Sequence, residues 1–188
     1  MKQIYFTVTN DLTYDQRMQR ICTSLSQAGF KVTLIGRKLK QSVSLQDRNY
    51  LQKRIYCFFT KGPLFYAEYN IRLFLYLLPR KADCICAIDL DTILPCYYLS
   101  RIKKCKRVYD AHELFSEMKE VVTRPRVYKF WKAIERKYVP QFKYGYTVNE
   151  YIRNIFRTEY RLDYLVVRNV PFLLENFKVE TTENFILY

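Results

Sequence analysis

Short apolar runs of strand length alternate with longer stretches of helical periodicity along this whole chain, and that alternation limits the fold more than any other feature. Cys84-Ile85-Cys86-Ala87-Ile88 is the clearest run, unbroken by a polar side chain and too short for a helix. A strand that is apolar throughout is covered on both faces, which is the situation of a central strand in a parallel sheet.

The other strand-like runs are Ile4 to Thr9, Lys31 to Ile35 closed by Gly36, Ile55 to Phe59, Arg107 to Tyr109, Tyr144 to Val148 and Leu165 to Arg168. Between the first two, Thr13-Tyr14-Asp15-Gln16 has the form of a capping box. Met18, Ile21, Cys22, Leu25 and Ala28 follow it at helical spacing, and Gly29 is a helix stop. Further helices are expected from about Leu64 to Leu78, from Asp91 or Thr92 with Pro95 in the first turn, and from about Pro125 to Tyr138. A last one is capped by Asn149 and buries Ile152, Ile155 and Phe156. Strands that alternate with helices form repeated βαβ units. The expected fold is α/β: a doubly wound, mainly parallel sheet of about seven strands flanked by helices.

A length of 188 residues suits one such domain, and 49 % apolar with 27 % charged residues is a globular composition. Six cysteines without a CxxC pair read as reduced, mostly buried thiols, so neither disulfides nor zinc are expected. The chain enters its first strand without a signal-peptide pattern, which points to a cytoplasmic protein. Leu73 to Leu78 stops at Pro79-Arg80-Lys81, far short of the ~20 apolar residues of a membrane span, and reads as a buried or interfacial helix. The net charge of +14 predicts attraction to polyanions: nucleic acid, anionic lipid or phosphorylated ligands.

Ligands of open α/β sheets bind beyond the carboxyl ends of the strands. His112, the only histidine, stands there in Asp110-Ala111-His112-Glu113, and Glu113 is placed to orient its ring. Asp89 and Asp91 close the fourth strand; Asp91 has an ordinary role as a helix cap, and Asp89 stays open as an acid or base. Glu113, Glu117 and Glu120 are spaced to line one side of a short helix. The first strand is followed by Asn10-Asp11-Leu12, whose side chains suit sugar hydroxyls as well as a simple turn. No GxGxxG or P-loop is present, which argues against a dinucleotide site. A basic segment, with Arg124, Arg126, Lys129, Lys132, Arg136, Lys137 and Lys143 around an apolar stripe, and a second patch from Arg101 to Arg107 suit an anionic membrane surface.

These pieces, in this order, resemble the amino-terminal, acceptor-side domain of GT-B glycosyltransferases, family 4 and its bacterial members in particular. The residues that carry the resemblance are Thr9-Asn10-Asp11-Leu12 with Asp15-Gln16-Arg17, Leu34-Ile35-Gly36-Arg37, Ile88-Asp89-Leu90-Asp91-Thr92, Tyr109-Asp110-Ala111-His112-Glu113 and Val167-Arg168-Asn169-Val170-Pro171. The resemblance implies a Rossmann-like half of a GT-B fold over residues 1–174, with 175–188 leading toward a second domain that holds the nucleotide. It implies transfer of a sugar from a UDP- or GDP-sugar, with retained configuration and no obligatory metal or cofactor, to a cell-surface polysaccharide or lipid-linked acceptor.

On this reading His112 faces the transferred sugar as the catalytic group, while Asn10, Asp11, Asp89, Glu113, Asn149 and Asn169 bind substrate. The family's glycine-rich first loop is here Asn-Asp-Leu, and its donor-gripping Glu-seven-residues-Glu motif is absent; Glu175 and Glu183 match that spacing by coincidence. The chain alone is therefore expected to be inactive and to need the donor-binding half. The alternatives are a non-catalytic subunit that pairs with a separate donor-binding chain and, with less support, a nucleic-acid-binding domain. No nucleic-acid signature accompanies the charge, so no nucleic-acid partner is expected. A peripheral position at the inner face of the membrane follows from charge.

Overall fold

The computed structural model describes residues 1–170. The expected domain boundary at 174/175, the tail, and Pro171 of the hinge motif lie outside the described residues. Seven strands form one sheet in the order β3-β2-β1-β4-β5-β6-β7. They are β1 (Gln3–Thr7), β2 (Lys31–Lys38), β3 (Leu51–Tyr56), β4 (Cys84–Ile88), β5 (Lys106–Ala111), β6 (Tyr144–Thr147) and β7 (Leu165–Val166). Every neighbouring pair is parallel.

Alternation along the central strands divides the core in two. Tyr5, Ile35, Ile85, Ala87 and Tyr109 face one way, and Phe6, Val8, Leu34, Cys86 and Ile88 face the other. The first face is covered by α2 (Gly62–Leu77), α3 (Ile93–Ile102), α5 (Pro125–Tyr138) and α6 (Glu150–Tyr160), after the short α4 (Lys119–Val122). Each offers a stripe at helical spacing: Phe65, Tyr69, Leu73 and Leu77 in α2, and Trp131, Ile134 and Tyr138 in α5. The second face is covered by α1 (Gln16–Gln27) through Met18 and Cys22, together with Leu12 and Tyr50 from loops.

Several local expectations are corrected. Asp15, not Thr13, caps α1 by accepting from the Met18 amide at 3.0 Å, because Thr13 is bound by the Asp11 carboxylate. β2 runs through Gly36 to Lys38: a Cβ there would lie 2.3 Å from a Leu12 methyl and 2.7 Å from the Asn10 carbonyl, so glycine lets the first loop lie against the strand. β3 begins at Leu51, earlier than expected, and its polar Gln52, Lys53 and Arg54 are tolerated because it is an edge strand. β5 extends to Ala111, so Asp110 is a strand residue; its charge interrupts the apolar pattern and is met by Arg17. β7 is only Leu165–Val166, Ile155 is half-buried rather than buried, and the glutamates after His112 do not share one helix: Glu113 lies in a bend, Glu117 on a 3-10 turn and Glu120 on α4. All six cysteines are free thiols, with Cys84 and Cys105 half-buried and the others buried.

Candidate functional site

From β1 the chain adds β2 and β3 on one side, then returns to add β4 to β7 on the other. Strand order therefore reverses between β1 and β4, and the crevice beyond the carboxyl ends at such a point is where open α/β sheets take ligands. Because all strands are parallel, the loops after β1, β4 and β5 meet there. They carry Thr9 to Asp11, Asp89 to Asp91, and His112 with Glu113.

Asp89 has φ 55° and ψ −178°, a region close to one reserved almost wholly for glycine. Its amide donates to the Asp110 carbonyl at 3.0 Å, which ties the ends of β4 and β5 together. This conformation sets Asp89 Oδ2 3.3 Å from His112 Nδ1. Asp89 Oδ1 is buried and has no hydrogen-bond partner among the described residues. Asp110 Oδ1 lies 3.9 Å from the same ring nitrogen, and Glu113 Oε1 lies 3.8 Å from Nε2. The imidazole is 27 % exposed, so it stands at a rim with carboxylates behind it and solvent in front.

Burial pushes the His112 pKa down, although Asp110 pulls the other way. Burial, followed by the neighbouring Asp91, pushes Asp89 well above the usual carboxylate range. Both directions disfavour the charged forms of the two partners. Asp91 is raised to about 7 by burial, against a hydrogen bond from Thr9. The expected capping role of Asp91 is overturned. Its carboxylate accepts from the Thr9 hydroxyl, and α3 starts after a 3-10 turn without a side-chain cap.

The structure brings Asp89, His112 and Glu113 together. Their ligand atoms lie within 4.8 Å of one another, so the three can hold a cation or share the hydroxyls of a polar ligand. Asp11 is beside the crevice, but its carboxylate is taken up by Thr13, Ser42 and Arg54, the last at 2.6 Å. Burial alone would raise its pKa; those hydrogen bonds hold it at about 2. Asn10 is exposed, and its carbonyl accepts from the Arg37 amide. Asn149 caps α6, accepting from the Ile152 amide at 2.9 Å. Asn169 accepts from Arg20 at the border of a cavity of about 430 Å3 between α1 and the segment after β7. All four follow strand ends on the same edge, but none is hydrogen-bonded to the His112 group.

Sequence reasoning missed the support of this group. Arg17, from the first turn of α1, grips Asp110 with both terminal nitrogens and lies 5.6 Å from the Tyr146 ring centre. Thr9 holds Asp91. The available signal was that Asp110 is a charge directly after the apolar Val108-Tyr109 pair of the strand, and a charge buried there demands a partner.

The fold is one half of a GT-B architecture: a Rossmann-like parallel sheet flanked by helices. Among solved structures, sucrose-phosphate synthase from Thermosynechococcus elongatus is similar with a TM-score of 0.69 and 10 % identity, over 89 % of this chain and 48 % of that one. A lipopolysaccharide outer core galactosyltransferase is similar with a TM-score of 0.57 and 11 % identity, over 90 % of this chain and 46 % of its own. UDP-GlcNAc 2-epimerase from Methanocaldococcus jannaschii is similar with a TM-score of 0.58 and 14 % identity, over 89 % and 45 %. The chain thus spans about half the length of these proteins. No protein-family model and no curated protein sequence matches it.

Proposed function

We propose that this chain is the acceptor-side half of a retaining glycosyltransferase that moves a sugar from a UDP- or GDP-sugar to a cell-surface polysaccharide or a lipid-linked acceptor. The observation that carries the reading is the His112–Asp89 pair, 3.3 Å apart at the rim of the crevice where strand order reverses. A neutral imidazole both donates and accepts, which suits a sugar hydroxyl. The Glu113 carboxylate, 3.8 Å from the ring, favours positive charge nearby and so helps to stabilise the charge that develops at an anomeric carbon. Glu113 adds an exposed acceptor on the other side of the ring.

The donor nucleotide belongs to a second domain, and Asn10, Asp11, Asn149 and Asn169 border the acceptor side. Its phosphates are held by that domain rather than by a metal, so a chelator is expected to leave turnover unchanged. The test is the complete enzyme, assayed with UDP- and GDP-sugars against lipid-linked and polysaccharide acceptors. His112→Ala is expected to lower kcat by about 10²-fold or more, the usual loss of a group that stabilises developing charge, with the denaturation midpoint unchanged. Wild-type turnover in that variant removes His112 from the mechanism. The 188-residue chain alone is expected to show no transfer.

The epimerase likeness and the raised pKa values of Asp89 and Asp91 favour a second reading, acid–base chemistry on a nucleotide sugar without an acceptor. Epimerised donor sugar in an acceptor-free assay would distinguish it from transfer.

A further inference from the structure

Helix α2 is apolar on two opposite faces, although the described residues cover only one. Phe65, Tyr69, Leu73 and Leu77 are buried against the sheet. On the far side Leu64, Ile71, Leu75 and Leu78, also at helical spacing, are each 40 to 60 % exposed. Phe58, which leads into the helix, is 72 % exposed. A helix that is apolar all round is normally enclosed.

The rim of this stripe is cationic. Lys61 is at the N-terminal end and Lys81 follows the C-terminal end, both exposed. Arg80 stacks 3.6 Å from the Tyr76 ring centre, and Lys53 lies 5.7 Å from it. Lys103 reaches over from α3 to donate to the Leu78 and Arg80 carbonyls. Glu68, the one acid of α2, is neutralised by Arg72 and by the Phe58 and Phe59 amides.

We infer that the outer face of α2 docks on an anionic lipid bilayer, with the helix lying in the plane of the headgroups. Leucine, isoleucine and phenylalanine side chains enter the boundary while the lysines and arginines meet lipid phosphates. No helix of the described residues is long and apolar enough to cross a membrane, so the contact is peripheral. A second copy of the chain fits the stripe less well, because it carries the same net charge of +14 and the same rim. The basic segment of α5, the expected contact, exposes Phe130 alone among the large apolar side chains of that helix, and its Lys132 is held by Glu135 at 2.9 Å and Glu117 at 3.0 Å. The inference stands apart from sugar transfer, and its test reads binding alone.

The 188-residue chain is to be sedimented with phosphatidylglycerol-containing vesicles and with pure phosphatidylcholine vesicles. Binding is expected to the first and not to the second. Ile71→Glu with Leu75→Glu is expected to weaken it by about tenfold or more, since two large side chains leave the interface. Lys61→Glu with Lys81→Glu is expected to weaken it and to flatten its salt dependence. Arg126→Glu with Lys129→Glu on α5 is expected to bind as the unsubstituted chain does, and unchanged far-ultraviolet circular dichroism confirms the fold of each variant. Unaltered binding by the α2 variants, binding lost only with the α5 variant, or no binding to anionic vesicles would each overturn the inference. So would a lipid-free dimer that the Ile71→Glu, Leu75→Glu variant dissolves, because a second copy then covers the stripe.

Discussion

Arg17 and Asp110 form a two-pronged ion pair across 93 positions of sequence, with the Asp110 side chain wholly inaccessible and Arg17 nearly so. The pair pins the first turn of α1 to the end of β5, two residues before His112. It is the floor on which the candidate site stands.

Removing one member leaves the other charged and buried. Arg17→Ala is expected to cost about 3–5 kcal/mol, the range for a broken buried pair. Arg17→Lys keeps the charge but loses the planar fork, and is expected to fall between Arg17→Ala and the unsubstituted protein. Urea denaturation of the three proteins measures this; an Arg17→Ala loss below about 1 kcal/mol would mean the pair is ornamental.

Asp89 occupies backbone space that glycine occupies freely. Strain of this kind costs about 1–3 kcal/mol, while glycine in an ordinary position costs about 0.5–1 kcal/mol in unfolded-chain entropy. Asp89→Gly is therefore expected to melt at or above the temperature of the unsubstituted protein, while the proposed sugar transfer falls. A marked drop in melting temperature would show that the Asp89 side chain stabilises the fold after all.

The pH dependence has a definite sign. Asp91 is raised from 3.8 to about 7 by burial, so the folded state binds this proton more tightly than the unfolded one. The stabilisation that results is complete below 3.8 and is lost as pH rises through about 7. Asp91→Asn is expected to shrink the stability difference between about pH 5 and about pH 8, measured from denaturation midpoints, without abolishing it, because Asp89 shifts in the same direction. An equal difference in both proteins would remove Asp91 as its source.

Gly36→Ala is expected to destabilise by about 1–3 kcal/mol, as overpacking does. The added methyl meets Leu12 and the Asn10 carbonyl, so the loop after β1 must move. Hydrogen exchange at the Arg37 amide, which donates to that carbonyl at 2.9 Å, reads the displacement directly. Unchanged protection there would show that the loop absorbs the methyl in place.

Much of the fold was legible because burial repeats every second residue in a strand and about every 3.6 residues in a helix. Cys84 to Ile88 could be placed from composition alone. β3 could not, since an edge strand tolerates Lys53 and Arg54 and so hides its period. Of the site, His112 and Asp89 were visible as polar residues just beyond strand ends. Their approach to 3.3 Å was not, because β4 and β5 become neighbours only in the sheet.

The sequence by itself determined the succession of strands and helices, the apolar face of each, and the set of loops that share one edge once the strands run parallel. These are consequences of residue spacing, which is local. Tertiary structure alone decided that Arg17 meets Asp110, that Thr9 holds Asp91, that Asp89 turns toward the imidazole, and that the described residues leave one of the two apolar faces of α2 uncovered. Each depends on which strands lie side by side and which helix covers them, and chain order does not fix that arrangement in advance.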